Sequence, residues 1–139
     1  MLLYLDNCCF NRPFDDQSQI SVKLETEAKL SIQEQIVDGE HDLVWSYILE
    51  FENNQNPNLE RQFSIREWKT VSRHNVIATD TIVRNAEKYV SLGLKPKDAL
   101  HVACAVSAGA QVFLTTDKGI ISKMISDIVI MNPIDFVRE

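Results

Sequence analysis

The sequence predicts an α/β protein built on a parallel sheet. Short apolar runs alternate with longer stretches that carry apolar residues at helical spacing, which is typical of strand-helix-strand units. The chain has 139 residues, of which 45% are hydrophobic and 24% are charged. This composition is typical of a globular protein with a core of its own. No repeat, low-complexity segment or linker interrupts the pattern, so we expect a single domain over residues 1–139.

Five apolar runs are predicted as strands. Each is three or four residues long and is bounded by polar or turn-forming residues. The runs are LLYL at 2–5, DLVW at 42–45, NVIA at 75–78, VFL at 112–114 and IVIM at 128–131.

Helices are predicted between these strands from apolar spacing and from end signals. Residues 20–37 repeat apolar side chains every four positions and are followed by Gly39, while Ser46 is a suitable N-cap for a helix at 47–52. The stretch NRPFDDQSQ after the first strand is predicted as a polar loop. Further helices are predicted at about 59–72, 80–92 and 98–109, then from about 119, and at the C-terminus.

The composition also restricts where the protein works. No apolar run approaches the roughly 18 residues of a membrane span, so no membrane association is expected. The N-terminus lacks a basic segment followed by a long apolar stretch, which argues against export. Three cysteines without C-x-x-C spacing fit neither a disulfide framework nor a zinc site. We therefore expect a cytoplasmic protein.

Charge is distributed unevenly along the chain. The net charge is −6, yet residues 1–60 carry 12 acids and 3 bases, whereas residues 61–123 carry 10 bases and 5 acids. The second half could therefore offer a phosphate backbone a binding face, although bases on a solvated helix surface produce the same count.

Carboxylates follow two of the predicted strands. Asp6 comes directly after the first strand, and Asp117 follows the strand at 112–114. Because the carboxyl ends of parallel strands meet at one edge of a sheet, we expect these two side chains to converge there. Asp98 at a predicted helix start and an acid from SYILEFE could complete a pocket of four carboxylates, although Asp98 and Asp117 could also simply cap helices.

Such a group of acids requires a cation. Like charges held a few ångströms apart raise one another's pKa or recruit a metal ion. An all-oxygen site suits Mg²⁺ or Mn²⁺ rather than zinc.

Four stretches of the chain resemble the PIN domain family and its VapC-type toxins. They are LYLDN, an acid after the strand-helix junction at Ser46, KPKDALHVACAVSAGA, and VFLTTDKGI, and the loop NRPFDD resembles one branch of that family. The resemblance implies a three-layer α/β/α sandwich with a central parallel sheet of about five strands. It also implies a Mg²⁺- or Mn²⁺-dependent endoribonuclease that acts on RNA, a small antitoxin partner within a type II toxin-antitoxin pair, and a homodimer.

The resemblance also assigns the site residues. Asp6, Asp98 and Asp117 match the first, third and fourth acids of the family pattern, and Thr115 matches its hydroxyl. The second acid, by its spacing from the strand-helix junction, is Glu52. These five residues form the predicted catalytic set, with the four acids as metal ligands.

Three other residues, Glu50, Asn7 and His101, lie close to this set in the sequence. Glu50 is the alternative to Glu52, since residues two apart on a helix point about 200° apart and only one can face the pocket. Asn7 stands where the family most often has serine or threonine. His101, one turn from Asp98, is interpreted as a packed helix residue and is left out of the catalytic set.

Other classes of protein fit less well. A receiver domain has an acidic pair after its first strand, and a haloacid-dehalogenase-type phosphatase has D-x-D there. This chain has DNCCF at that position. The main alternative is a non-catalytic PIN-like module that binds RNA or a protein partner. The substrate also stays open at this point, because the acids and the basic half are compatible with RNA or DNA.

Overall fold

The computed structural model describes residues 1–123 and 125–138. All five predicted strands are present, at bounds within one or two residues of those expected. They are β1 (Leu2–Leu5), β2 (Asp42–Ser46), β3 (His74–Val76), β4 (Val112–Leu114) and β5 (Val129–Met131).

The strands form one sheet in the order β3-β2-β1-β4-β5, and every neighbouring pair is parallel. Strand β1 lies at the centre, with Leu5 opposite Leu114 of β4. The chain builds the sheet outward from β1 in one direction and then returns to build it in the other. The switch between the two directions lies between β1 and β4, where ligands bind in open α/β sheets.

Helices connect the strands. The two longest, α2 and α4, end within one residue of their predicted bounds. The helices are α1 (Asn7–Asn11), α2 (Ile20–Val37), α3 (Tyr47–Asn54), α4 (Leu59–Val71), α5 (Asp80–Ser91), α6 (Pro96–Ser107), α7 (Lys118–Ile121) and α8 (Pro133–Val137).

Two local predictions were wrong. The stretch NRPFDDQSQ, predicted as a polar loop, begins with the last residue of α1 and a 3-10 turn at Arg12–Phe14, and α1 itself was not predicted. The reason is local capping, because Asp6 accepts a hydrogen bond from the backbone N–H of Asn7 and so starts a helix. Helix α6 starts at Pro96, two residues earlier than predicted, because proline fits the first turn of a helix.

Both faces of the sheet are covered. Leu3, Tyr4 and Leu5 are consecutive in β1 and each is 1% exposed or less, although successive strand residues point to opposite faces. A parallel sheet buried on both faces requires helices on both sides, so the predicted α/β fold class is confirmed. None of the helices in the described residues combines the length and the apolar composition of a transmembrane segment.

Candidate active site

Two of the predicted acids lie at the same edge of the sheet. Asp6 follows β1, and its backbone N–H donates to the carbonyl of Leu114, the last residue of the neighbouring strand β4, at 2.9 Å. Thr115 and Asp117 therefore leave β4 beside the point where Asp6 leaves β1. Sheet pairing alone fixes this arrangement, since the register aligns the carboxyl ends of both strands.

Thr115 connects these two aspartates. Its side chain is fully buried, and its hydroxyl donates to Asp6 Oδ2 at 2.8 Å. The same hydroxyl oxygen accepts the backbone N–H of Asp117 at 3.1 Å. The other oxygen of Asp6, Oδ1, accepts the backbone N–H of Asn7 at 2.8 Å. Asp6 is thus held at both oxygens, and the loop carrying Asp117 is tied to it through one side chain.

Asp117 is the exposed member of the group. Its Oδ1 accepts the backbone N–H of Gly119 at 2.7 Å, so it caps the short helix α7. A Cβ at Gly119 would stand 3.0 Å from that same oxygen, which leaves room for hydrogen but not for a methyl group without movement. Its second carboxylate oxygen, Oδ2, accepts no hydrogen bond among the described residues and is available to a ligand.

Asp98 is half-buried in the first turn of α6. Lys95, not Asp98, is the N-cap residue, and no hydrogen bond to the Asp98 carboxylate is found within the described part of the chain. Burial raises the pKa of Asp98, and the negative charges of Asp6, Asp117 and Glu52 raise it further. The pKa of Asp98 is therefore affected by all three of the other predicted acids.

Glu52 and Glu50 point to different surroundings. Glu52 contacts His101 Nε2 across the interface between α3 and α6. Glu50 instead accepts a hydrogen bond from Trp45 Nε1 at 3.0 Å and lies within 4 Å of two basic side chains, those of Arg66 and Lys69. The structure thus brings Glu52 towards the other acids and turns Glu50 away from them.

His101 belongs to this group, although the sequence interpretation left it out. It is buried, as a packed helix residue would be, with 1% of its surface exposed. Its Nε2, however, contacts Glu52 and lies 3.8 Å from Asp6 Oδ1. The position one turn after Asp98 was the only sequence signal for this placement.

A buried chain of hydrogen bonds fixes the His101 ring. Its Nδ1 lies 2.6 Å from the Tyr4 hydroxyl, which lies 2.7 Å from Ser46 Oγ. Burial lowers the pKa of His101, but the hydrogen bond to Glu52 and the charges of Asp6 and Asp98 outweigh it, so the net shift is upward. An imidazole in this position stabilises two adjacent carboxylates.

Comparison with known proteins places this arrangement in a family. The model of the PIN domain matches residues 18–124. The chain belongs to the PIN domain family. The matched range includes Glu52, Asp98, Thr115 and Asp117, whereas Asp6 precedes it. No curated protein matches the chain significantly.

Solved structures share the fold of this PIN domain. The crystal structure of VapBC2 from Rickettsia felis bound to a DNA fragment from their promoter has a TM-score of 0.59 at 13% identity, covering 95% of this chain and 98% of that one. The structure of VapBC-1 from nontypeable Haemophilus influenzae has a TM-score of 0.60 at 16% identity, covering 96% and 98% respectively. The family and fold predictions are therefore confirmed.

A cleft of about 180 Å³ opens beside the acids of this PIN domain. Two acids, Asp98 and Asp117, and two bases, Lys95 and Lys123, line it. Lys123 Nζ lies 3.2 Å from the position that a Cβ would occupy at Gly93, whose φ is +108°. The close approach of this lysine thus depends on a glycine at the end of α5.

The other bases of residues 61–123 do not line this cleft. Several lie in ion pairs away from the cleft, which reduces the charge available to a ligand. These pairs are Arg66 and Lys69 with Glu50, Arg73 with Asp42, and Lys88 with Asp127.

The chemistry of these residues fits a divalent cation. As the side chains lie, no three His, Cys, Asp or Glu residues within 1–123 and 125–138 form a group that could hold a metal ion. The donor set is nevertheless dominated by carboxylate oxygens, which Mg²⁺ and Mn²⁺ prefer. The pKa of Asp98 is raised first by burial and then by the negative charges of Asp6, Asp117 and Glu52, which His101 offsets only in part. In addition, the buried Oδ1 of Asn7, next to Asp6, has no hydrogen-bond partner among the described residues.

Proposed function

We propose that this PIN domain is a metal-dependent endoribonuclease that hydrolyses RNA phosphodiester bonds. The observation that carries the proposal is the meeting of Asp6, Asp98, Asp117 and Glu52 at the carboxyl edge of the sheet, where the charges of Asp6, Asp117 and Glu52 add to burial in raising the pKa of Asp98. Among the described residues no hydrogen bond reaches the Asp98 carboxylate, and His101 offsets only part of the negative charge of the group. A site with more carboxylates than bases at a ligand-binding edge is suited to a cation.

The four acids would hold Mg²⁺ or Mn²⁺. Asp6 and Asp117 would be direct ligands, with Asp98 and Glu52 completing the shell around them. When bound, the ion would lower the pKa of a water molecule and stabilise the leaving 3′-oxygen, giving 5′-phosphate and 3′-hydroxyl ends. Thr115 would hold Asp6 in orientation through its hydrogen bond, and His101 would do the same for Glu52.

Two lysines would position the RNA backbone. A pocket of carboxylates repels phosphate, so the flanking phosphates need positive charge outside the metal site. Lys95 and Lys123 line the same cleft as Asp98 and Asp117, and neither lies within 4.0 Å of a described carboxylate. They are therefore free to contact phosphates on either side of the bond that is cut.

We also propose that the protein is the toxin of a type II toxin-antitoxin pair. Support comes from the fold shared with the VapBC structures. A small antitoxin and a second copy of the chain would be its partners. Phe51 and Phe63 are 49% and 63% exposed and are available for either contact. Light scattering of the purified chain, alone and with the product of any adjacent small reading frame, tests both partners.

The first experiment is a calorimetric titration of Mn²⁺ into folded, partner-free protein. Wild type should bind saturably, and Asp6→Asn should bind roughly tenfold more weakly or not at all. Asp80→Asn is the matched control, because Asp80 is an exposed acid at the start of α5 and accepts no side-chain hydrogen bond in the described structure. Equal binding, or its absence, in wild type and Asp6→Asn would favour the non-catalytic module instead.

A cleavage assay then tests the substrate class. Single-stranded RNA and DNA of the same sequence are incubated with wild type and Asp6→Asn in Mn²⁺, and the product ends are mapped. RNA fragments with 5′-phosphate ends in wild type alone are expected. Equal cleavage of the DNA would contradict the ribonuclease assignment, and activity in Asp6→Asn would contradict the assignment of the site.

A further inference from the structure

A second cavity lies between α2, α4 and the segment that follows β1. Its volume is about 130 Å³, and it shares no lining residue with the cleft of the candidate active site. Phe10, Phe14, Ile65 and Trp68 provide aromatic and aliphatic walls. The remaining lining includes the polar side chain of Lys29.

Lys29 is buried without a counter-charge. Its side chain is only 3% exposed, and among residues 1–123 and 125–138 no carboxylate lies within 4.0 Å of Nζ. The ammonium instead lies 5.3 Å from the ring centroid of Phe10 and 5.8 Å from that of Trp68. These cation–π contacts offset only part of the cost of removing a charge from water. Fully buried lysines are rare unless they are paired.

Gln33 adds a second unsatisfied donor to the same cavity. It lies one turn after Lys29 on α2, so both side chains project from one face of the helix. Gln33 is 7% exposed, and its buried Nε2 has no hydrogen-bond partner in the described structure. Buried amide groups almost always have partners. The ammonium of Lys29 and the amide of Gln33 thus line one small cavity, and neither has a hydrogen-bond acceptor among the described residues.

The two donors specify the chemical group that a complementary ligand must carry. Lysine ammonium and glutamine NH₂ groups both donate, so the complementary group accepts two hydrogen bonds and carries negative charge. A carboxylate has two acceptor oxygens, and its single charge is less costly to desolvate than that of phosphate. Phe14 and Leu30, 41% and 48% exposed, extend the apolar surface outward from the donors. The ligand should therefore continue from its carboxylate into an apolar body.

We propose that this cavity binds a small organic monocarboxylate, with its carboxylate on Lys29 and Gln33 and its apolar part against Phe10, Phe14 and Trp68. The size of the cavity sets the size of the ligand, since drug-sized molecules occupy larger pockets. The proposal does not depend on the nuclease function, because the two sites share no residues.

The protonation of Lys29 supports this site and gives it a distinctive signature. Burial lowers the pKa of Lys29 to about 7, with the nearby Cys9 acting weakly in the opposite direction. A bound carboxylate would raise that pKa again. Binding at about pH 8 should therefore take up close to one proton, whereas binding at about pH 6 should take up little.

The test uses benzoate, phenylacetate and butyrate as probes, with benzamide as the uncharged comparison. Saturable binding of at least one acid is measured by calorimetry in buffers of different ionisation enthalpy, which reports the proton uptake. Lys29→Met should weaken it roughly tenfold or more, because it removes a charged hydrogen bond. Lys23→Met, an exposed position on the same helix, should leave it unchanged.

Several results would overturn the proposal. They are no saturable binding of any acid to the folded protein, equal binding to Lys29→Met, equal binding of benzamide and benzoate, and binding without proton uptake at about pH 8. A glutamate-containing peptide that binds when none of the small acids does would also overturn it, since the site would then belong to a protein partner. Gln33→Leu provides a second variant should Lys29→Met fail to fold.

Discussion

Asp6 serves both the fold and the candidate site. Its carboxylate starts α1 by accepting from Asn7, accepts the Thr115 hydroxyl, and faces His101. A carboxylate whose oxygens are already oriented by protein donors presents its remaining lone pairs in a fixed direction. The orientation of the Asp6 carboxylate at this edge of the sheet therefore depends on neighbouring residues that would not themselves contact a ligand.

Replacing Thr115 with valine should weaken metal binding without removing any acid. The change keeps the shape of the side chain but leaves Asp6 Oδ2 with only the weak, 3.5 Å contact from the Cys8 thiol and the Asp117 N–H without its acceptor. We expect Mn²⁺ affinity to fall by about tenfold or more and the free energy of unfolding to fall by about 1–3 kcal/mol. Calorimetric titration and urea unfolding measure the two effects, with Thr116→Val as the control. Unchanged Mn²⁺ affinity would remove Thr115 from the site.

Replacing Tyr4 with phenylalanine tests the role of His101. Phenylalanine retains the stacking on Phe113, at 5.2 Å between ring centroids, but removes the hydroxyl that meets His101 Nδ1. We expect the rate of RNA cleavage to fall by roughly tenfold, because the imidazole beside Glu52 loses its orientation.

Tyr89→Phe is the control for this measurement. Tyr89 is also a buried tyrosine whose hydroxyl is hydrogen-bonded, in its case to Asp127. If both variants lose similar stability but only Tyr4→Phe slows cleavage, the effect belongs to the site. Equal rates of RNA cleavage in the two variants would mean that the hydrogen bonds of the Tyr4 hydroxyl have a purely structural role.

The acids of the site could be proposed from sequence, but the histidine could not. Asp6 and Asp117 follow strands that were recognisable as apolar runs, so parallel pairing predicts that they share an edge. His101 meets Glu52, a residue 49 positions away, only because α3 packs against α6. A helix packing contact of this kind leaves no periodic signal in the sequence.

At the scale of elements, the sequence pattern predicted the three central strands and the longer helices because burial dictates their composition. Strands buried on both faces, as β1, β2 and β4 are, form continuous apolar runs, and amphipathic helices repeat apolar residues every three to four positions. The edge strands β3 and β5 are more exposed, and the turn-forming residues around them helped to predict them. The stretch 7–14 was not predicted as helical because it is too short to show a helical repeat, although Cys9 and Phe10 are fully buried. It is held by caps and side-chain hydrogen bonds such as Asn11 Nδ2 to the Asn7 carbonyl, which composition does not reveal.

Gly93 at the end of α5 should matter more than an ordinary helix-ending glycine. In Gly93→Ala the new Cβ meets Lys123 at 3.2 Å and the backbone retains a φ of +108°, which is strained for alanine. We expect a loss of about 1 kcal/mol or more in the free energy of unfolding and weaker RNA binding as Lys123 is displaced.

Gly109→Ala is the matched control. Its φ of +77° imposes the same kind of strain, but a Cβ there meets nothing within 4 Å. Urea unfolding and fluorescence anisotropy with labelled RNA compare the two variants. If both weaken RNA binding equally, the contact with Lys123 has no part in the effect.

At the scale of the whole molecule, the fold determines which of the unevenly distributed bases lie near the candidate active site. The net charge is −6, and several bases of the second half are paired with acids. Among the residues that line the cleft, the bases are Lys95 and Lys123. RNA binding should depend on few phosphate contacts.

The dependence of RNA affinity on salt should accordingly be shallow. Two lysine contacts to a single strand predict a slope of log affinity against log salt of about −1.4, and Lys123→Met should reduce it to about −0.7. Anisotropy titrations in an Asp6→Asn background, where cleavage is not expected, measure both. A slope several times steeper would mean that other bases contact the RNA.

The edges of the sheet limit how copies of this protein can associate. β3 and β5 each pair on one side only, and each is three residues long. Edges this short give an incoming strand very few backbone partners, which protects the protein against aggregation by sheet extension. We therefore expect any stable assembly of this PIN domain with itself to form through side chains outside the sheet edges rather than by strand addition.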